Sequence, residues 1–323
     1  MERILVTGPN GFVGGHLRRA LADAFIPFEG DVLDATALRE SVREIVPEGV
    51  VHLAALSSVG ESWSDVAEVW RANVLGTVNV VEGLRAEAPG ARLLFASSGD
   101  VYGRAEQFPT PEDARVEPVS PYAASKAAAE IACRQAELDV VVARAFPHVG
   151  PGQDERFAVG SWTAQLARLR SDGGGVLRVG NLEAERDLID VRDVCRAYRL
   201  LLDPRVPAGT YNVASGHAVP LSRVVELLVE LADVPVEVER DETRLRPAEV
   251  PVLCGDPSKL RAATGWAPEI PLEQTLADAL EASAGAEMVK PLASAVRSSP
   301  ESPARTAPIL PSSYWRRATT STA

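Results

Sequence analysis

Short apolar runs alternate with longer amphipathic stretches along the first half of the chain, and this alternation constrains the fold more than any other feature. The apolar runs are RILVTG, GVVHLAAL, ARLLFASS and DVVVARAF, and between them stand stretches such as FVGGHLRRALAD and SPYAASKAAAEIACRQAE. Apolar strands that alternate with helices are typical of a parallel sheet covered on both faces. The sequence therefore predicts an α/β fold.

A glycine-rich turn, TGPNGFVGGHL, lies between the first predicted strand and the first predicted helix. Glycine lets the tight turn form, lets a pyrophosphate approach the backbone, and lets helix and strand pack closely. At the first βα turn of an alternating chain, the motif predicts a dinucleotide site and a Rossmann-type, doubly wound parallel sheet. From this turn we expect cofactor contacts by Gly8, Asn10, Gly11, Phe12, Val13 and Gly14.

The segment that follows the first helix bears on the choice of coenzyme. Only AFIPFE separates that helix from GDVLD, so the second strand and its loop are short, and Glu29 and Asp31 are the candidate acids for the adenosine ribose. No arginine stands in this segment to hold a 2′-phosphate, which weakly favours NADH. The expected cofactor is NAD(P)H, with NADH and NADPH both left open.

The alternation loosens after residue 147, where the loops GPGQDERF and SDGGG occur. We expect residues 1–146, with returning segments near 186–215, to form the cofactor domain. Residues 147–284 are expected to form most of a smaller, interleaved substrate-binding region. Residues 285–323 are rich in Ser, Pro, Ala and Thr without a hydrophobic period, which predicts a disordered tail.

Composition bounds the partners and the compartment. The net charge of -12 and the pI near 5.0 disfavour nucleic-acid binding, which requires a basic face. The cysteines Cys133, Cys195 and Cys254 are far apart without a CxxC pair, so neither disulfides nor a metal site is indicated. The opening MERILVTG leaves no room for a signal peptide, and no apolar run is long enough for a membrane span. We expect a cytoplasmic protein that does not enter a membrane.

Two further motifs carry the chemistry: SSGDVYG follows an apolar strand, and YAASK opens a helix further along. Tyr122 and Lys126 are four residues apart and therefore share one helix face. An ammonium group there can lower the pKa of the phenol, which makes Tyr122 a usable proton donor or acceptor.

Together with the glycine turn, these motifs resemble the extended short-chain dehydrogenases/reductases, the epimerase/dehydratase family that acts on nucleotide sugars. The resemblance covers about residues 3–280 and includes GDVLD, HLAAL and RANVLGT. It implies a catalytic triad of Ser98, Tyr122 and Lys126, in which Ser98 hydrogen-bonds to the substrate carbonyl while Tyr122 protonates it. It also implies cofactor contacts by Asp31, Val32, Leu53, Ala54, Ala55 and Asn73, in addition to Tyr122 and Lys126.

The C-terminal half is similar to the group of GDP-mannose 4,6-dehydratases and GDP-4-keto-6-deoxymannose reductases, through VGNLEAERDLIDVRDV and PHVGPGQDERF. Pro147 replaces the asparagine usual in that group, which removes a side-chain hydrogen bond near substrate or nicotinamide. His148 lies at the expected substrate edge, where a positioning or packing role is favoured over catalysis. The resemblance implies nucleotide contacts by Asn181, Arg186, Arg246 and Glu249.

The residues after the triad serine bear on the type of reaction. In the 4,6-dehydratases of this family the two residues after the triad Ser/Thr commonly include a glutamate base, which in one sub-branch is preceded by an aspartate acid, whereas this chain has Gly99 and Asp100. Glycine carries no proton and aspartate is one methylene shorter, so elimination is poorly equipped, while a reductase or an epimerase needs neither group. Asp100 is either a loop-capping carboxylate or a contact to a substrate hydroxyl.

The expected function is NAD(P)H-dependent reduction of a nucleotide-linked 4-keto-6-deoxyhexose, in the first place GDP-4-keto-6-deoxy-D-mannose to GDP-D-rhamnose. The alternatives are a nucleotide-sugar 4-epimerase that keeps NAD bound, a 4,6-dehydratase of GDP-mannose, and a non-catalytic dinucleotide-binding regulator. The intact triad argues against the regulator. The resemblance also implies a homodimer that pairs the helices containing Trp70 and Tyr122.

Overall fold

A six-stranded parallel sheet, in the order β2-β1-β3-β4-β5-β10, forms the centre of the computed structural model. The structure describes residues 1–245 and 250–294. Its strands are β1 (Ile4–Thr7), β2 (Phe25–Phe28), β3 (Gly49–His52), β4 (Arg92–Ser98), β5 (Asp139–Ala145), β6 (His148–Val149), β7 (Gly175–Val179), β8 (Glu185–Arg186), β9 (Ile189–Asp190), β10 (Gly209–Val213), β11 (Val219–Pro220), β12 (Val236–Arg240) and β13 (Val252–Leu253).

Helices cover both faces of this sheet and form most of the C-terminal region. They are α1 (Phe12–Leu21), α2 (Ala35–Ile45), α3 (Val66–Trp70), α4 (Gly76–Glu87), α5 (Pro121–Arg134), α6 (Ala158–Asp172), α7 (Val191–Leu201), α8 (Leu221–Ala232), α9 (Ser258–Thr264) and α10 (Leu272–Ser294). A π-helical turn, Arg71–Leu75, joins α3 to α4, and a 3₁₀ turn, Gly99–Tyr102, follows β4. The predicted doubly wound Rossmann-type fold is confirmed.

Strand alternation explains why the sheet has a hydrophobic core on each face. Val6 points to the core that includes Leu17 of α1 and Tyr198 of α7. Leu5 points to the opposite core, with Leu38 of α2 and residues of α4 and α5. Side chains of successive strand residues face opposite sides of a sheet, so both faces of a central strand must be apolar.

The chain leaves this sheet after β5 and later returns to it. Strand β10 pairs in parallel with β5, and α7 packs against α1. The intervening and following segments build a third core from α6, α8 and α10, which contains Trp162, Leu228 and Leu276. Small sheets of β7 with β12 and of β8 with β11 and β13 complete this region. The assignment of residues 147–284 to substrate binding stays a prediction.

The boundary predicted for the disordered tail is wrong at its beginning. Residues 285–294 belong to α10, because the stretch ADALEASAGAEM is rich in the strong helix formers Ala, Leu and Glu. Residues 295–323 lie outside the described residues. Met1–Glu287 form one compact unit. In the described part of the chain, no helix has both the length and the apolar character that a membrane span requires.

Candidate active site

The carboxyl ends of the central strands bring the predicted motifs to one edge of the sheet. The register pairs Thr7 at the end of β1 with His52 at the end of β3, and Ser98 at the end of β4 with Ala145 at the end of β5. Strand order reverses between β1 and β3, where open α/β sheets form their binding crevice. The candidate site therefore lies where the fold places ligands.

The glycine turn leaves no room for side chains at two of its positions. Gly8 has a φ of 69°, and a Cβ there would stand 2.8 Å from the backbone nitrogen of Ala54. A Cβ on Gly14 would overlap the carbonyl oxygens of Gly8 and Pro9. Helix α1 begins directly after Gly11, with no side-chain cap and no acidic residue in its first turn. Because these glycines carry no side chains, a pyrophosphate can reach the backbone N–H groups at this helix N-terminus, which fits a dinucleotide site.

The loop after β2 carries the acids that were predicted for the adenosine end. Asp31 is exposed, and its Oδ1 accepts a hydrogen bond of 2.9 Å from the backbone nitrogen of Leu33. Val32 is buried against Gly76, and a Cβ on Gly76 would come within 2.8 Å of the Val32 side chain. Glu29 is exposed directly after the edge strand β2.

Asn73 lies in the π-helical turn and is buried. Its Oδ1 accepts from the backbone nitrogen of Leu56 (2.8 Å), and its Nδ2 donates to the Leu56 carbonyl (3.1 Å) and to Ser125 Oγ (2.9 Å). These bonds use both polar atoms of the Asn73 side chain. They hold the loop that contains the partly buried Leu53, Ala54 and Ala55 beside α5. The structure thus gives Asn73 a holding role toward the predicted cofactor loop.

Ser98 and Asp100 interact directly at the end of β4. Ser98 Oγ donates to Asp100 Oδ2 at 3.0 Å and accepts from the Asp100 backbone nitrogen at 3.1 Å. The serine therefore caps the 3₁₀ turn, and the Asp100 carboxylate accepts from Ser98. Of the two roles left open for Asp100, the contact to a substrate hydroxyl stays a prediction. The negative charge of Asp100 also acts on Tyr122.

Tyr122 is 8% exposed, on the first turn of α5, with Ser120 as the helix N-cap. Burial raises the pKa of the phenol, the charge of Asp100 raises it further, and Ser98 lowers it by hydrogen bonding. The net direction is opposite to the lowering that the spacing of Tyr122 and Lys126 predicts, because burial outweighs the other influences. The phenol is consequently held protonated.

Lys126 lies one turn further along α5 and is also buried. Its Nζ donates to the Ala96 carbonyl at 2.7 Å and lies 4.9 Å from the centre of the Phe95 ring. Burial lowers the pKa of Lys126 to about 8, while Glu130 acts in the raising direction. The ammonium is anchored to β4, so it keeps a fixed position relative to Tyr122.

Glu130 is a buried residue that the sequence reasoning missed. Its carboxylate accepts from Ser97 Oγ at 2.5 Å, and it forms ion pairs with Arg144 at 2.8 Å and Arg134 at 2.6 Å. Because Glu130 is four residues after Lys126, helical spacing alone places it one turn from the lysine. It joins the catalytic helix to β4 and β5, beneath the candidate site.

His148 packs on the glycine turn. Its ring is stacked on that of Phe12 with centroids 6.1 Å apart, and its Nδ1 lies 3.0 Å from the Phe146 carbonyl oxygen. Burial lowers the pKa of His148 and favours the neutral ring. Gln153 Nε2 donates to the His148 carbonyl at 2.9 Å. These contacts agree with a positioning role between the glycine turn and the β5 edge.

The predicted nucleotide contacts are described only in part. Asn181 Oδ1 accepts from the Glu183 backbone nitrogen at 2.9 Å, and Arg186 of β8 donates to the Glu185 carbonyl at 2.8 Å. Arg246 and Glu249 lie outside the described residues. The nucleotide end of the site therefore stays a prediction.

A Rossmann sheet with a dinucleotide turn and a buried Ser, Tyr and Lys set defines an NAD(P)-dependent oxidoreductase of the extended short-chain dehydrogenase/reductase class. Residues 20–279 match the family model described as GDP-mannose 4,6 dehydratase, and the chain belongs to that family.

Known proteins similar to this chain include reductases, dehydratases and epimerases of nucleotide sugars. GDP-6-deoxy-D-mannose reductase from Pseudomonas aeruginosa is 38% identical over an alignment of 289 residues, and the match covers 85% of this chain and 95% of the relative. The structure of RMD from Pseudomonas aeruginosa complexed with NADPH has a TM-score of 0.81 at 36% identity, and the match covers 88% of this chain and all of that one. Thermus thermophilus UDP-glucose 4-epimerase in complex with NAD has a TM-score of 0.78 at 29% identity, covering 88% and 99%.

Proposed function

We propose that this protein is an NAD(P)H-dependent reductase of a 4-keto-6-deoxy sugar linked to a nucleotide, with GDP-4-keto-6-deoxy-D-mannose as the substrate and GDP-D-rhamnose as the product. The observation that carries the choice of reaction is the environment of residue 99. A Cβ on Gly99 would stand 3.0 Å from three atoms of the buried Phe146 ring, so a proton-donating side chain at this position would require the ring to move. Asp100, at the position of the dehydratase glutamate, accepts a hydrogen bond from Ser98 instead.

Tyr122 is the proton donor in this mechanism. The raised pKa of its phenol keeps the proton in place until the carbonyl oxygen gains negative charge. When bound, the reduced nicotinamide supplies the hydride for carbon 4 of the sugar. Ser98 orients the carbonyl by hydrogen bonding, and to do so it redirects the hydrogen that it now donates to Asp100.

Lys126 would hold the cofactor ribose when the cofactor is bound, and its ammonium, one helical turn after Tyr122, would add positive charge as the proton leaves. Its anchoring to the Ala96 carbonyl fixes the ammonium at the floor of the site. Asp100 has two effects that favour the resting state: it orients Ser98, and its charge keeps Tyr122 protonated. None of these tasks needs a separate general base.

The GDP part of the proposal is supported by the family and by the 38% identical Pseudomonas aeruginosa reductase. Asn181 and Arg186, with Arg246 and Glu249, are the proposed nucleotide contacts. Arginine offers a planar cation that can bind diphosphate oxygens in a bidentate manner.

The test is a substrate comparison with purified protein. Oxidation of added NADH or NADPH should require a 4-keto-6-deoxy sugar, should be faster with the GDP form than with the TDP form, and should give GDP-rhamnose by NMR. GDP-mannose alone should stay unchanged. Formation of a keto sugar from GDP-mannose would show a dehydratase, and conversion without added coenzyme by a protein that retains NAD would show an epimerase.

We also propose a homodimer in a reducing cytoplasm. Trp70, Val74, Leu75 and Val78 lie at helical spacing along the continuous α3, π and α4 segment, and Trp70 and Leu75 are more than 40% exposed. Ile131 is 64% exposed on α5, which packs beside α3. Exposed apolar surface of this kind is typical of an interface between subunits. The three cysteines are buried and unpaired, which supports a reducing compartment.

A further inference from the structure

His52 lies at the end of β3, 1% exposed, between the glycine turn and the π-helical turn. Its Nδ1 is 2.7 Å from Thr7 Oγ1, and its Nε2 is 3.0 Å from Thr77 Oγ1. Thr7 immediately precedes Gly8, and Thr77 is in the first turn of α4. One side chain thus connects the strand that leads into the glycine turn with the beginning of α4.

The donors and acceptors around His52 are consistent with a single tautomer. Thr77 Oγ1 donates its one hydrogen to the Asn73 carbonyl at 2.6 Å, so toward His52 it can only accept, and Nε2 must carry a hydrogen. Thr7 Oγ1 accepts from the Ala54 backbone nitrogen at 3.2 Å, which leaves its hydrogen for Nδ1. All these contacts are satisfied by a neutral ring protonated on Nε2.

The connection continues from Asn73 to the catalytic helix. Asn73 Nδ2 donates to Ser125 Oγ at 2.9 Å, and Ser125 Oγ donates to the Tyr122 carbonyl at 2.7 Å. A buried series of hydrogen bonds therefore extends from the glycine turn to the first turn of α5. Burial, with a smaller influence from the nearby charge of Lys126, lowers the pKa of His52 to about 3, so the ring stays neutral throughout the working pH range.

We propose that His52, as the neutral tautomer protonated on Nε2, is a positioning residue that fixes the glycine turn relative to Tyr122 and Lys126. Because the ring is buried, it acts through Thr7 and Thr77. Small displacements between bound reactants and catalytic groups lower rates strongly, so loss of this link is expected to reduce turnover. The part of the proposal that concerns turnover rests on the reductase function.

The tautomer is tested without any substrate. In protein labelled with ¹⁵N-histidine, long-range ¹H–¹⁵N spectra at pH 7 should show His52 with a protonated Nε2 and an unprotonated Nδ1. The signal is assigned as the one lost in His52→Gln, since the chain has only four histidines. A ring protonated on Nδ1, or on both nitrogens, overturns the proposal.

The link itself is tested by a double-mutant cycle. Thr7→Val and Thr77→Val each remove one bond to His52, and the two threonines are connected through its ring. We expect each variant to lower kcat and to raise the coenzyme Kd by roughly 10-fold, with the double variant close to either single one. Additive effects would mean that the two ends act independently and would overturn the proposal.

Replacing His52 shows whether this residue positions the catalytic groups or only stabilises the fold. Gln can keep only the Thr77 bond and Asn only the Thr7 bond, so each breaks the link at one end and should lower kcat about as much as the threonine variants do. The control is Val51→Ala, which removes fully buried apolar atoms from the preceding residue of β3 and leaves the series intact. It should lower Tm while kcat and coenzyme Kd stay within about twofold.

If His52→Leu affects Tm, kcat and Kd as Val51→Ala does, the role is structural and the proposal fails. The coenzyme Kd is measured by calorimetry without sugar, so this result does not depend on the substrate. If the predicted tautomer and the coupling in coenzyme Kd are observed but the wild-type protein reduces no keto sugar, only the reductase assignment is contradicted.

Discussion

The ring of Phe146 occupies the space that a side chain on Gly99 would need, with a Cβ at residue 99 standing 3.0 Å from three ring atoms. Phe146 is fully buried after β5, and Gly99 follows the triad serine. The two residues therefore restrict the chemistry available beside Ser98. A side chain at residue 99, directly before the position where a dehydratase has its glutamate and this chain has Asp100, would require a different packing of the site.

This contact predicts an energetic coupling between residues 99 and 146. Gly99→Ala should lower the free energy of unfolding by about 1–3 kcal/mol, because a well-packed core resists added atoms. In a Phe146→Leu background the same substitution should be less costly. Urea unfolding of the four proteins measures the coupling, and equal costs in both backgrounds would contradict the packing described here.

The burial of Lys126 predicts that removing its charge stabilises the protein without coenzyme. Its pKa is lowered from 10.5 to about 8, so the unfolded chain binds more protons between these pH values, and stability rises with pH across that window. At pH 7 the cost of the buried charge is on the order of 3 kcal/mol. Lys126→Met should therefore be more stable at pH 7, by less than this amount because the bond to the Ala96 carbonyl is lost.

Urea unfolding of both proteins at pH 7, 8, 9 and 10 tests this prediction. The advantage of Lys126→Met should shrink as pH rises, because the lysine of the folded wild-type protein becomes neutral. A variant that is less stable at pH 7, or an advantage that does not change with pH, would contradict the expected cost of the buried ammonium.

The loop after β2 predicts a preference for NADH. Glu29, Asp31 and Asp34 are exposed there, and no cation occurs between residues 20 and 38 to meet a 2′-phosphate. We expect NADH to bind about 10-fold or more tightly than NADPH, and Glu29→Gln to narrow the difference. Fluorescence titration measures both Kd values, with Glu40→Gln of α2 as a control of equal charge change. Tighter binding of NADPH by the wild-type protein would refute the preference.

The exposed apolar stripe formed by Trp70, Val74, Leu75 and Val78 predicts that one charged substitution in it prevents dimer formation. Trp70→Glu should convert the proposed dimer to a monomer, because a carboxylate would be buried against the apolar side chains of the partner. Light scattering after size exclusion measures the mass. Val238→Glu on β12 is the control, since Val238 is similarly exposed (43%) outside the stripe. A wild-type monomer, or dissociation by both variants, would contradict this interface.

Ser98 was assigned by the resemblance to a known family, and its role stays a prediction. Local sequence patterns were sufficient for the sheet, the glycine turn and the shared helix face of Tyr122 and Lys126. These features depend on residue spacing, which the chain displays directly. The direction of the Tyr122 pKa shift could not be predicted, because it is set by burial between elements far apart in sequence. The same holds for the Phe146 ring against Gly99, where a residue that follows β5 meets one that follows β4.

Other contacts could not be predicted for the same reason, because they join residues that are far apart in sequence. Glu130 finds Arg144 on β5 and Ser97 on β4, and only the folded sheet brings these strands beneath α5. The helical residues 285–294 were missed because the composition of the whole tail, dominated by its Ser- and Pro-rich end, outweighed the helix formers at its start.

Tyr122→Phe tests the central claim most directly, because it removes one oxygen and keeps the buried ring. Turnover should fall by about 10²- to 10⁴-fold, the usual contribution of general acid catalysis, while the coenzyme Kd stays within about threefold. Tyr102→Phe is the matched control: it removes a buried hydroxyl that bonds to Asn212 at 2.7 Å, and it should lower stability with little change in turnover.

The measurement is single-turnover reduction of the GDP-linked 4-keto sugar, with an isotope effect from deuterated coenzyme to show that hydride transfer limits the rate. The account predicts the large loss for Tyr122→Phe alone. If Tyr122→Phe keeps more than about half of the wild-type rate under these conditions, Tyr122 is not the acid, and the reductase mechanism built on it is wrong.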